Sequence, residues 1–411
     1  MDSSKEFTKL LAASFISQTG SHFLTLAIAA FVLYTSGSPV QSALIFVVSF
    51  LPSILVSARL GHWVDENISR WFIARNELIS VVATLLSGIS IALHLPLVLL
   101  CMILGFRSLL MFIGRAAATK WLKVITPHEL QANRIKLFYL SFFLSTAISG
   151  LLAGIVLSRS SIWTVVYLDM ASYFLSVAVW MTLQQLPALQ TESSPSTKIP
   201  EPSLRQTLST IFAMPVMRTS FLIVCLSQAM FQGTYSVLVS FLPIQVFKLG
   251  LGGVGGFQLA ASAGITGGFL INWLRNTALA EKQPTRPLRT IGIAAIASMA
   301  LLFSVTASAL SISLIGFFVV NLGYEWIWLH HNSDFFRTSP KAVAARYQFT
   351  LSACAAFLMA TLTLTYSALV QYLGVSLATL IIILIGVLMA GVSPFIGKRS
   401  EMISLSERAQ P

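Results

Sequence analysis

Charge is what this chain has least of. Only 10% of its 411 residues are Asp, Glu, Lys or Arg, where a soluble domain carries about a quarter, so a water-soluble globule is excluded. The stretch from Tyr347 to Gly397 has no charged residue. As a single helix it would run about 75 Å at roughly 1.5 Å per residue, against a hydrocarbon core about 30 Å thick, so it crosses a bilayer at least twice. Cysteine is also scarce: Cys101, Cys225 and Cys354 sit in separate apolar runs without metal-ligand or disulfide spacing, and read as packing residues. No Gly-Lys-Ser/Thr phosphate loop is present, which leaves this chain without an ATPase motif of its own. Gly250-Leu251-Gly252-Gly253-Val254-Gly255 has the spacing of a dinucleotide loop, but no strand precedes it, so it reads as a turn and no cofactor is expected.

What the chain has instead is apolar length. Hydrophobic residues make up 56% of it, in runs near 20 residues that suit helices and lack the alternation of barrel strands. The predicted class is an all-α membrane protein with twelve transmembrane helices, near 11–34, 40–60, 72–93, 95–116, 136–158, 161–186, 219–247, 252–274, 289–308, 311–331, 347–371 and 374–396. Threaded this way, twenty-three of the 26 Lys and Arg residues fall on one side, while Arg159 and Lys248 lie on the other. The positive-inside bias makes the rich side cytoplasmic and puts both termini there. The net charge of +12 thus reports orientation and calls for no nucleic-acid partner. Lys5 and Lys9 precede an apolar run that holds Gln18, Ser21 and His22 and has no small-residue cleavage site, so the first span is expected to stay uncleaved.

The long polar stretch Leu186 to Arg218, with Pro195, Pro200 and Pro202 at its centre, separates six spans from six. The expected domains are an N-terminal six-helix bundle over 1–186, a cytoplasmic linker over 187–218 and a C-terminal six-helix bundle over 219–411. A faint repeat supports duplication. Thr126-Pro127 with Arg134 after span 4 answers Ser339-Pro340 with Arg346 after span 10, and Gly61 with Asp65 answers Gly268 with Asn272. In such a pseudo-symmetric pair the substrate site lies between the halves.

These features resemble the major facilitator superfamily over essentially the whole chain. Its loop after span 2 has a signature of Gly, three residues, Asp and basic residues, a frame kept here by Gly61, Asp65 and Arg70. Gln18-Thr19-Gly20, Ser36-Gly37-Ser38-Pro39, Leu51-Pro52 and the Thr126-to-Arg134 loop resemble the drug and siderophore efflux branch, which includes macrolide efflux pumps and enterobactin exporters. In place of that branch's Gly-Pro pair in span 5 this chain has Gly150 and Gly154. The resemblance implies a transporter in a bacterial inner membrane, working as a monomer, and a cytoplasmic gate in which Asp65 pairs with a nearby cation such as Arg115.

Ionisable groups within spans cost several kcal/mol unless paired or hydrated, which makes them the default site candidates. Glu325 in span 10, beside Tyr324 and Trp326, is the leading candidate for proton coupling, with a structural pair as its alternative. Arg107 in span 4 can hold a substrate carboxylate or tune a neighbouring acid. Asp169 in span 6 is a further candidate, with Arg159 as a conceivable partner. His22 and Gln18 in span 1 can relay a proton or bond substrate, or simply bond a neighbouring helix. Glu77, near the cytoplasmic end of span 3, reads as a gate or surface pair with Arg75. His330 and His331 read as interfacial, and no metal is expected.

The expected function is secondary active transport of a small organic molecule, export of a siderophore or drug-like compound by alternating access with protons as the coupling ion. An importer, for example of a ferric siderophore, or a lipid flippase on the same fold is the alternative. A membrane-embedded transferase using Glu325 and the two histidines is the rival from another class; the chain is expected not to be an enzyme.

Overall fold

The computed structural model describes residues 3–55, 64, 67–127, 130–184, 204–278, 287–339 and 344–388. Among them every regular element is helical. The first six long helices are α1 (Ser3–Ser36), α2 (Pro39–Leu55), α3 (Arg70–Ala92), α4 (Leu97–Ile125), α5 (Gln131–Arg159) and α6 (Ile162–Met181). A short helix α7 (Leu204–Ala213) leads to α8 (Met217–Val246), then α9 (Gly253–Ala278), α10 (Pro287–Thr306), α11 (Leu310–Thr338), α12 (Ala344–Leu373) and α13 (Val375–Leu388). Nine of the described helices are long and apolar enough to cross a membrane, and the remaining spans of the expected twelve correspond to the shorter apolar helices Pro39–Pro52, Thr290–Thr306 and Val375–Leu388. This is a multi-pass membrane protein.

Local chemistry sets the helix ends. Pro39 opens α2, a position where its missing N–H is harmless and its fixed φ is already helical. Ser69 caps α3 by accepting the Phe72 amide at 3.0 Å. Gly37 and Gly374 hold φ of 68° and 80°, the left-handed turn that ends α1 and α12 and reverses the chain into the next span. Helix α8 is interrupted by two π turns, Gln228–Gln232 and Leu242–Val246, the second containing Pro243, which has no N–H for the regular ladder.

Helix α7 lies in the last part of the expected linker, past its prolines. Leu204, Leu208, Ile211 and Phe212 recur at helical spacing, Ile211 is fully buried, and Arg205 and Gln206 face outward, so the tail of the linker is amphipathic despite the prolines before it. Gly268 lies within α9, four residues before Asn272, where the membrane span ends.

Helices α1–α6 pack on one another and α8–α12 on one another, and the two sets meet through α5 against α9 and α2 against α12. The core has a telling layout. One large cluster, including Leu24, Ile28, Leu238, Leu242, Phe257 and Tyr366, draws on both sets of helices at the end marked by Ser36, Arg159 and Gly253. Toward the other end the core divides into two clusters. One is built around Trp121, Phe72 and Trp180 in the first set, and the other around Phe221, Phe335 and Tyr347 in the second. At the joined end α5 and α9 approach until their backbones touch. A side chain at Gly255 would come within 2.8 Å of Gly154 Cα, and one at Gly252 within 2.9 Å of Ser158 Cβ, so glycine is the residue that permits this contact.

Candidate functional site

The first set of helices encloses an ion pair. Arg107 on α4 donates through Nη2 to Asp169 Oδ2 on α6 at 2.8 Å. Its Nε donates to Thr84 Oγ1 on α3 at 3.1 Å, and Thr84 Oγ1 donates to the same Asp169 oxygen at 2.8 Å. Nη1 reaches the Ser21 carbonyl of α1 at 3.5 Å, and the guanidinium lies 5.7 Å from the centre of the Tyr173 ring, whose hydroxyl is 2.9 Å from Ser21 Oγ. Arg107 is 2% exposed and Asp169 0%. Four helices thus converge on one pair, and Gly20 lets α1 approach, since a Cβ there would come within 2.7 Å of Asp169 Oδ1. An isolated charge at this depth is costly, whereas a pair whose hydrogen bonds are largely made offsets much of that cost.

Asp169 therefore pairs with Arg107 and not with Arg159, which is exposed at the end of α5. The carboxylate beside Arg107 in this conformation is that of Asp169. Glu77 also departs from the surface pair expected of it. Arg75 points outward, while Glu77 is 6% exposed and accepts the Ser17 hydroxyl on both carboxylate oxygens, at 3.1 and 3.0 Å. The reason is helical phase: Glu77, Ser80, Thr84 and Ser87 form one buried polar stripe on α3. That stripe was the signal in the sequence for Thr84, which was missed, and for the burial of Glu77, which was read as a gate or surface pair.

Glu325 stands alone. It is 1% exposed, and among the described residues it makes no hydrogen bond or ion pair; its Oε1 is buried without a partner. Across from it α9 presents Gly268, where a Cβ would come within 2.9 Å of Glu325 Cβ. Buried Tyr324 and Trp326 flank it, and Trp326 stacks on His330 with ring centres 5.5 Å apart. His330 Nε2 is 3.6 Å from Asp334 Oδ2, and His331 Nε2 is 3.0 Å from Thr290 Oγ1. Those contacts account for both rings without a metal.

On α1, Gln18 is 7% exposed with its Oε1 unpartnered, and His22 sits edge-on to Phe142 at 5.0 Å with Nε2 unpartnered. Arg115 lies over the other side of that contact, 4.2 Å from the centre of the Phe142 ring. Of the expected gate, Gly61 and Asp65 lie outside the described residues, and Arg70 is the first residue of α3. Arg107, Asp169 and Ser21 are thus brought together, whereas Glu325 and Trp326 belong to a separate site in the second set of helices.

Membrane-spanning helices with ionisable side chains held at mid-helix define a polytopic protein of transporter type. The chain belongs to the Major Facilitator Superfamily, whose sequence profile matches residues 10–348. No curated protein matches it in sequence. Its fold is similar to a bacterial homologue of the human lysosomal transporter Spinster, in an inward-facing and unoccupied conformation, with a TM-score of 0.73, 12% identity and coverage of 95% of this chain and 96% of that one. It is similar to the nucleoside transporter NupG, at a TM-score of 0.73, 12% identity and coverage of 95% and 99%. A POT family transporter in complex with 5-aminolevulinic acid gives a TM-score of 0.69 at 14% identity, covering 95% and 96%. At these identities the likeness is one of fold.

Proposed function

We propose that this chain is a secondary transporter that exports a small organic molecule, a siderophore or drug-like compound, across a bacterial inner membrane by alternating access coupled to protons. The halves that rock are 1–186 and 219–411, with 187–218 as the cytoplasmic linker and both termini inside. The observation that carries this reading is the divided core: joined at one end, parted at the other. Two bundles that share apolar packing at only one end can exchange which end is joined, which is the motion alternating access requires. With the Arg159 and Lys248 end placed outside by the charge bias, this conformation faces inward.

Glu325 is assigned the coupling proton, because a buried carboxyl without a counter-charge is the group whose charge changes most readily when water reaches it. His22 offers an unpartnered ring nitrogen to substrate and Trp326 an apolar surface, while Gln18 offers its unpartnered amide oxygen to the path of the proton. Arg107 and Asp169 hold four helices of the first half in register. Arg70 and Arg115, with Gly61 and Asp65, form the cytoplasmic gate, and the transporter works as a monomer without a cofactor.

The test compares small molecules inside cells and in the medium for a deletion strain, its parent and an overexpressor, in iron-rich and iron-poor growth, with and without a protonophore. A compound retained by the deletion strain, and released by the overexpressor only while the proton gradient stands, supports the reading. A compound left unconsumed in the medium of the deletion strain reverses the direction and makes the chain an importer.

A further inference from the structure

Glu77 stands apart from the Arg107–Asp169 pair and borders a cavity of its own. The cavity is about 30 Å³ and is walled by Glu77 of α3, Ser14, Ser17 and Gln18 of α1, Arg115 of α4 and Trp180 of α6, among others. Three buried atoms on these walls have no hydrogen-bond partner: Ser14 Oγ, Gln18 Oε1 and Trp180 Nε1, on residues 6%, 7% and 1% exposed. Size decides the class of ligand. Pockets for organic molecules run to about 300–1,000 Å³, whereas about 10–15 Å³ of such space is enough for one water. The cavity is a water-sized polar chamber and not a substrate pocket.

Its chemistry narrows the ligand further. The amide oxygen accepts, the indole N–H donates, the Ser14 hydroxyl does both, and the Glu77 carboxyl stands beside them. A metal cation would meet the Trp180 N–H and the Arg115 guanidinium on the same walls, both presenting positive ends. A water that passes protons to and from a carboxyl suits this mixed set. Glu77 makes no ion pair among the described residues; both its carboxylate oxygens accept from the Ser17 hydroxyl, and Ser176 of α6 lies beside it as well. The charged and titratable groups that surround it are Arg107 and Arg115 on α4, Asp169 and Tyr173 on α6, and His22 on α1. It lies seven residues from Thr84, about 10 Å along α3, toward the end where the cores part.

We infer that Glu77 and this chamber form a second proton-exchange site, in the first half of the molecule and separate from Glu325. The inference rests on the reading that protons couple transport. The proton moves between a Glu77 carboxylate oxygen and water held by Ser14, Gln18 and Trp180, and no other bond changes.

Infrared difference spectra of the full chain in lipid nanodiscs, recorded across a pH series without substrate, test this. The expected spectrum has two titrating protonated-carboxyl bands, one lost in Glu77→Gln and the other in Glu325→Gln. A Glu77→Gln spectrum identical to that of the unmodified protein overturns the inference. Replacing potassium by sodium at constant pH should leave the Glu77 band in place; its loss would mark a sodium site and also overturn the inference. Should Glu77→Gln fail to fold, Ser17→Ala keeps the carboxyl and is expected to move the titration midpoint of its band, and an unmoved midpoint counts against the site. The measurement needs no transport. A Glu77 band without proton-driven flux would sink the transport reading and leave this site standing, and flux without the band would do the reverse.

Discussion

The Arg107–Asp169 pair of the first half and Glu325 of the second treat buried charge in opposite ways. In the first, Arg107 and Asp169 are joined to each other and to Thr84, and four helices converge on them. In the second, Glu325 is buried at the same order of exposure with no partner among the described residues, facing a glycine. The pair resists change even though Asp169 Oδ1 has no hydrogen-bond partner, since moving either member strands the other in an apolar interior. A solitary carboxyl is stabilised by nothing that its protonation would break. The contrast assigns framework to the first half's pair and chemistry to the second half's acid.

The largest break in that contrast comes from Arg107→Met. It strands Asp169 and is expected to cost about 3–5 kcal/mol, read as loss of the monodisperse peak after heating in detergent; adding Asp169→Leu in the same chain should restore most of it. Thr84→Val removes two bonds, the one donated to Asp169 Oδ2 and the one accepted from Arg107 Nε, and should cost about 1.5–3 kcal/mol in the same assay. Gly154→Val overpacks the backbone contact with Gly255 and should cost about 1–3 kcal/mol. The smallest effect belongs to Thr290→Val, which removes the His331 contact: about 1 kcal/mol of stability and unchanged flux.

Much of the architecture was legible because the bilayer leaves few choices: a charge-free run longer than one crossing, and basic residues gathered in alternate loops, lead to helices, their approximate limits and a proposed orientation. The pairing of Arg107 with Asp169 was not legible. The two are 62 residues apart on different helices, and nothing along the chain says which face each helix turns inward. The polar stripe Glu77, Ser80, Thr84 and Ser87 carried that information for α3, but the proximity of Arg75 in sequence pointed to a surface pair. Helix α7 was obscured by the prolines before it, although its leucine and isoleucine spacing was helical. The solitude of Glu325 needs the second helix to be known, since only the packing of α9 shows glycine, and no cation, across from it.

The most direct test of the contrast between the halves uses Glu325→Gln in proteoliposomes loaded with the exported compound, comparing accumulation against an imposed proton gradient with exchange of labelled for unlabelled compound at equilibrium. Loss of gradient-driven accumulation with exchange retained is the result this account predicts, because the variant keeps the rocking motion and removes the titrating group. Unimpaired accumulation in Glu325→Gln would contradict it and move proton coupling to another residue.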